Sequence, residues 1–189
     1  GDTPAIHLMT ANFTNSTSLH IERYSATNAI ISWEVIENSD FNVQRGQTNF
    51  ASGDSQINVP INTVNLSNTF VIATSKINSA TDSEYTQALF TTELTNSTNL
   101  RLTRAVTGTA AEVEWQVIQW NGTSVQSGTM LASKTPETTA INSVNLNQSF
   151  IITNFRSDGS QTRRVFPRTY FTSTTQIASY KNVATGTTT

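Results

Sequence analysis

Chemistry near neutral pH needs a group that titrates there or a strong nucleophile, and this chain has few of either. His7 and His20 are its only histidines and it has no cysteine, so thiolate nucleophiles, disulfides and cysteine-bearing metal clusters are excluded. His20 lies in the alternating stretch Ser-Leu-His-Ile-Glu-Arg-Tyr, residues 18–24, where Leu19 and Ile21 share one face and His20 the other. A surface histidine is the expectation, with general-base work the alternative. Asp40, Asp54, Asp82 and Asp158 fall at expected turns, where Asp bonds locally; calcium there would want a D-x-D-x-D run, which is missing. No G-x-S-x-G, no phosphate-binding loop and no spaced carboxylate pair occurs. The sequence therefore predicts no catalytic residues, no metal and no cofactor: a non-enzyme.

Charge is informative by its distribution. Lys and Arg total 11, Asp and Glu 13, and the formal net charge of −2 excludes the broad basic footprint of a nucleic-acid binder. Residues 1–95 hold nine acids and three bases (−6), residues 96–189 eight bases and four acids (+4). The densest run is Arg156, Arg163, Arg164 and Arg168, either a solvated hairpin or a docking patch for an acidic partner such as the first half of another copy. Asn-x-Ser/Thr sequons stand at Asn12, Asn15, Asn65, Asn96, Asn121 and Asn147, glycosylation candidates in a chain where many such triplets arise from composition. No stretch approaches the roughly 20 apolar residues of a membrane span and no basic-then-apolar leader opens the chain, so a soluble chain is expected.

What must position these residues is written twice. Trp33 and Trp115 stand 82 residues apart in matching contexts, as do Val43-Gln44 and Val125-Gln126, and Gly46 and Gly128. Ile-Asn-Thr-Val-Asn-Leu from Ile61 returns as Ile-Asn-Ser-Val-Asn-Leu from Ile141. Phe-Thr-Asn-Ser-Thr-Ser-Leu from Phe13 returns from Leu94 and, more loosely, from Phe171. Three copies of one part and two of the rest mean that the chain starts and ends in mid-unit.

Helical periodicity is absent, while short period-two runs alternate with Asn, Gly, Ser and Asp clusters, an all-β signal. The strands expected in the first unit are Ser18–Tyr24, Asn28–Ile36, Asn42–Phe50, Gln56–Ile61, Thr69–Ser75 and Tyr85–Leu94, with turns at Asn38–Asp40 and Asn121–Gly122. Alternation in Ile31–Val35 and Val113–Val117 predicts both Trp33 and Trp115 as core anchors, with Glu34 and Glu114 facing out. About six strands in each repeat favour two antiparallel sandwiches in tandem over one of twice the size. The expected divisions are an N-terminal strand 1–12, repeats 13–93 and 94–170, and the opening strand of a third repeat, 171–189.

Gln44-Arg45-Gly46, Gln126-Ser127-Gly128, Trp33 and Trp115 give the chain a resemblance to the H-type lectin sandwich, which opens a unit on a Gln-Ser-Gly turn and closes it on a Trp-containing strand. In that frame residues 43–119 form one whole unit, flanked by a closing half at 1–37 and an opening part at 125–189. The longer pattern, W-x-V-I followed by V-Q-x-G, resembles tandem sandwich repeats of large bacterial surface and phage proteins. The resemblance implies an all-β chain of immunoglobulin-like or H-type-lectin-like units. It does not bring the lectins' sugar site, because the matching turns, Thr107-Gly108-Thr109 and Ala26-Thr27-Asn28, hold no aromatic to stack on a sugar.

Together these features predict an extracellular or cell-surface structural repeat protein: a filament subunit or an adhesin stalk. Its partner is a second copy joined head to tail, or neighbouring repeats of a longer chain. Residues 171–189, or an N-terminal strand, are expected to complete a neighbour's sandwich. The alternative is a glycan-binding module of a surface or phage fibre protein.

Overall fold

The computed structural model describes residues 8–24, 28–77, 82–158 and 166–181. The described chain is all-β, with antiparallel strands in several small sheets and no α-helix among the described residues. Its strands are β1 (Met9–Asn15), β2 (Ser18–Arg23), β3 (Phe41–Phe50), β4 (Gln56–Pro60), β5 (Thr69–Ile77), β6 (Phe90–Asn96), β7 (Asn99–Arg104), β8 (Ala111–Trp120), β9 (Glu137–Ala140), β10 (Pro167–Ser173) and β11 (Gln176–Lys181).

The thrice-written motif forms the same hairpin each time. In β1–β2, β6–β7 and β10–β11 the register shifts by one residue just before the turn. The side-chain oxygens of Asn15 and Asn96 accept from the backbone N–H and hydroxyl of Thr17 and Thr98 at 2.9–3.0 Å. Ser173 Oγ takes that place in the third copy, accepting from Thr175 N at 3.2 Å. These Asx-type bonds give the backbone a local partner at the reversal.

Two of the sheets share one core. Sheet β3-β8-β5 has the long strand β8 at its centre, and sheet β4-β7-β6 has β7 at its centre. Val113, Trp115 and Val117 of β8 meet Leu100 and Leu102 of β7, with Phe50, Ile77 and Phe90 closing the core. The period-two pattern explains this: alternate residues of a strand face one side. Strands from both sides of position 94 build this pair of sheets: β3, β4 and β5 before it, β7 and β8 after it, and β6 across it.

Two expected strands take other forms. Asp82–Ala88 is a 3-10 helix preceding β6, instead of the start of a strand from Tyr85. Tyr85, Thr86, Gln87, Ala88 and Leu89 are buried in succession, which alternation along a strand forbids and a tight turn plugging the end of the core allows. Residues 28–36, expected as the Trp33 strand, have no strand partner among the described residues. Trp33 is 63% exposed where Trp115 is 8% exposed, so the expectation that both are core anchors fails for Trp33.

The remaining described residues form a partial copy of the same arrangement. Strands β10-β11-β9 reproduce β6-β7-β4, with β11 central. Residues 123–132 and 149–157, the sequence copies of β3 and β5, are not strands.

Candidate functional site

The site of interest lies between those two segments, and its geometry follows from anchors that the repeat duplicates. In the complete pair of sheets Gln44 of β3 clamps the chain after β4: its side-chain amide nitrogen, Nε2, donates to Asn62 O at 3.0 Å and its Oε1 accepts from Asn62 N at 2.6 Å. Gln126 makes the same two bonds to Asn142, at 3.1 and 2.7 Å. Ile61 N and Val64 N donate to the hairpin turn at Thr98 O and Ser97 O, and Ile141 N and Val144 N donate likewise to Thr175 O and Thr174 O. Asn65 and Asn145 then cap matching 3-10 turns, Leu66–Asn68 and Leu146–Gln148, that deliver the chain into β5 and into 149–157.

Residues 123–132 and 149–157 thus leave the same anchors as β3 and β5. Between β3 and β5 lies β8, paired to each over most of its length. Between 123–132 and 149–157 no strand lies among the described residues. The second segment is steadied on its far side, where Asn154 Nδ2 donates to Thr92 Oγ1 at 3.1 Å and Arg156 donates to Thr91 Oγ1. Exposed large apolar side chains collect on these unpaired pieces: Leu131 on one, Phe150 and Ile152 on the other, and Ile30, Trp33, Val35 and Ile36 on residues 28–38. Exposed apolar side chains on unpaired strand sequences mark an interaction surface.

A glycine sets the seat for the tryptophan. Trp115 lies opposite Gly46 in the β3–β8 register, and a Cβ built on Gly46 would stand 2.5 Å from Trp115 Cζ2. The ring is held by its Nε1–H, which donates to Thr48 Oγ1 at 3.0 Å. Gly128, the copy of Gly46, has nothing within 4 Å of the same position.

The outer face of sheet β3-β8-β5 carries hairpin β1–β2. Ala11 N donates to Thr74 Oγ1 at 3.0 Å, Asn12 Nδ2 to Glu114 Oε1 at 2.8 Å, and the Arg45 guanidinium lies 5.2 Å from the Phe13 ring centroid. Lys76 pairs with Glu22 at 2.6 Å and with Glu112 at 3.4 Å. Burial pulls the Lys76 ammonium down, but its bond to Glu22 and the charges of Glu112 and Glu22 together outweigh that and raise it. Glu22 is held below the usual carboxylate range by its bond to Lys76 and then by that ammonium's charge. Glu114 is pushed up, first by burial and then by neighbouring Glu112. Glu114, expected to face solvent, is buried because the hairpin covers it. A cavity of about 140 Å³ under the hairpin, lined in part by Phe13, Arg45 and Glu114, is a packing void between layers.

The remaining sequence candidates are scattered. His7, Arg163 and Arg164 lie outside the described residues, as do 1–7 and 182–189. Arg156 bonds to Thr91, whereas Arg168 lies 5.0 Å from the Tyr170 ring centroid and donates to Tyr180 OH at 3.4 Å. Asn12 is engaged with Glu114, while Asn65 and Asn96 use their side-chain oxygens in local turns. Asn15 does the same; Asn121 stands in the turn after β8, where Gly122 takes a φ of +82° that favours glycine, and exposed Asn147 donates its N–H to Asn145. Thr107–Thr109, the place of the lectins' sugar segment, is tied inward: Gly108 N donates to Ser52 O at 2.7 Å. Residues 171–181, expected in a neighbour, are paired within their own chain as β10 and β11.

Sequence reasoning missed Arg104. It is 2% exposed and donates from Nε to Asp54 O, from Nη1 to Gln87 O and Thr109 O, and from Nη2 to Ala51 O and Ser52 O, with its guanidinium 5.3 Å from the Phe50 ring centroid. The signal was available, because Leu100, Leu102 and Arg104 alternate onto one face of β7.

No group of His, Asp and Glu able to hold a metal occurs among the described residues, and no helix there is long and apolar enough to cross a membrane. In comparisons with known proteins, no family model, no curated protein and no solved structure matches the chain.

Proposed function

We propose that this chain is a non-enzymatic structural subunit of an extracellular filament or cell-surface stalk, built of tandem β-sandwich units and assembled head to tail by strand complementation. One observation carries the reading. Before the complete pair of sheets the chain carries a strand sequence without a sheet, and after it a partial pair of sheets without its central strand. Each end of the subunit needs what the other offers, and the two surfaces are different, so contact between copies is heterologous and propagates instead of closing in a pair.

The charge division supports the same polarity, with −6 on residues 1–95 and +4 on residues 96–189. Glu34 and Glu37 on residues 28–37 and Arg156 on 149–157 carry the same difference of sign to the two complementary parts and favour encounter in the productive orientation. The test is light scattering coupled to size exclusion over rising protein concentration, with negative-stain electron microscopy of the same samples. Linear polymers that lengthen with concentration are expected; a folded chain that stays monomeric throughout overturns the reading.

A further inference from the structure

We propose that residues 28–37 of one copy complete the partial sheet pair of another, lying antiparallel between residues 123–132 and 149–157 with Trp33 seated on Gly128. This rests on the head-to-tail reading above and names the strand and register that carry it.

The register comes from β8. Trp115 lies opposite Gly46 on one side and Ala73 on the other, Val117 opposite Gln44 and Val71, and Val113 opposite Thr48 and Ser75. Carried through the repeat, Trp33 lies opposite Gly128 and Thr153, Val35 opposite Gln126 and Ile151, and Ile31 opposite Met130 and Phe155. Ile31, Trp33 and Val35 then face the core, as Val113, Trp115 and Val117 do in β8. The open space at Gly128 accepts the ring that fills it at Gly46. In β8, Gln119 Oε1 accepts from Asn65 N at 3.1 Å; the same position in the incoming strand is Glu37, whose carboxylate meets Asn145 N. The incoming strand carries Glu34 and Glu37, and the receiving segments carry Arg156 and no acid.

Connectivity decides whose strand enters. β8 runs through the turn at Asn121–Gly122 into 123–132, and residues 28–37 run through the turn at Asn38–Asp40 into β3. Each such strand ends one sheet pair and passes the chain to the next. Residues 28–37 therefore belong to a pair preceding β3–β8, and the gap belongs to the pair following it. Within one chain the two exits lie side by side, Asn121 N donating to Asp40 O, yet residues 28–37 form no strand pair among the described residues, so a second copy makes the contact. The junction between copies then repeats the junction inside the chain.

The absence of native cysteine makes a register test direct. Glu34 and Ser127 stand opposite in this register, on the outer face, while Glu34 and Thr129 are diagonal neighbours. Opposed Cβ atoms lie roughly 4.5–5.5 Å apart and diagonal ones about 7–8 Å, so disulfide formation favours the first pair. Full-length Glu34→Cys/Ser127→Cys is expected to give a ladder of covalent multimers on mild oxidation, and a mixture of the two single variants only dimers. Glu34→Cys/Thr129→Cys should give no ladder. In parallel, Gly128→Val should raise the concentration needed for assembly about ten- to hundredfold, with Gly53→Val, at an equally open glycine outside the receiving segments, leaving it unchanged. Polymers without the Glu34–Ser127 ladder, or unaffected by Gly128→Val, overturn this strand and register while leaving head-to-tail assembly standing. Monomers with neither polymers nor cross-links, as when a longer chain fills its own gap, overturn both, and so does a cross-link closed within a single chain.

Discussion

Gly46→Ala is the sharpest probe of how the complete sheet pair is held together. The added methyl would stand 2.5 Å from Trp115 Cζ2 and 3.1 Å from Cε2 and Cη2, against an ordinary carbon contact of about 3.5–4.0 Å. The ring cannot simply retreat: it is buried and pinned by the bond from Nε1 to Thr48 Oγ1. Overpacking of this kind costs about 1–3 kcal/mol, and losing the indole bond costs roughly 1 kcal/mol more. For a chain of this size each kcal/mol lowers Tm by about 2–4 °C, so a drop of about 4–16 °C is expected. Calorimetry should be done in a Trp33→Ala background, so that assembly does not add its own stabilisation. In the same background Gly128→Ala, with nothing near its new methyl, should shift Tm by no more than about 2 °C. Equal losses for the two variants, or a Gly46→Ala chain as stable as its parent, would refute the ring-on-glycine packing on which the register argument rests.

Arg104→Met should cost roughly 2–4 kcal/mol, read by urea titration, because it removes the guanidinium's hydrogen bonds to five carbonyls and leaves the buried Gln87 carbonyl without that donor; an unchanged midpoint would show that these bonds add nothing to stability. Glu114 has a raised pKa, from burial first and Glu112 second, so its contribution is greatest when protonated and is lost as pH rises through the folded value. Glu114→Gln keeps the acceptor for Asn12, so its Tm advantage over the parent should be nil at low pH, open as pH rises above about 4.3 and then level off; an advantage that appears on acidification would contradict the burial of this carboxylate.

The sequence was legible where structure is local. Turns at Asn38–Asp40 and Asn121–Gly122, and the strands ending at Phe50 and near Arg23 and Pro60, follow from alternation and from side chains that bond their own backbone. It was illegible where a residue's fate is set at a distance. Arg104 reads as an ordinary hairpin charge until β7 is paired and its far end meets the turn at Ala51–Asp54. Gln44 and Gln126 read as polar strand residues, although their recurrence beside the recurring Asn62 and Asn142 was a clue to the clamp. Tyr85–Leu89 has strand-like composition, and only the open end of the core makes it a plug.

Trp33 and Trp115 show the same limit in its strongest form. Their strands share alternation, composition and following turn, so any propensity assigns them one fate, yet one ring is buried and the other is 63% exposed. A strand is completed by its neighbours' hydrogen bonds and not by its own sequence. The unpaired edges of 123–132 and 149–157, with apolar side chains beside them, are what folded proteins ordinarily cover, shorten or charge. Here Arg156 is the sole charge on either segment, and no cover lies among the described residues. On this reading the exposure of Trp33 and the open gap are two halves of one unmade contact, and their physics makes the isolated chain the less stable state. Assembly would then need no added energy source: it would be the last step of folding, taken between molecules.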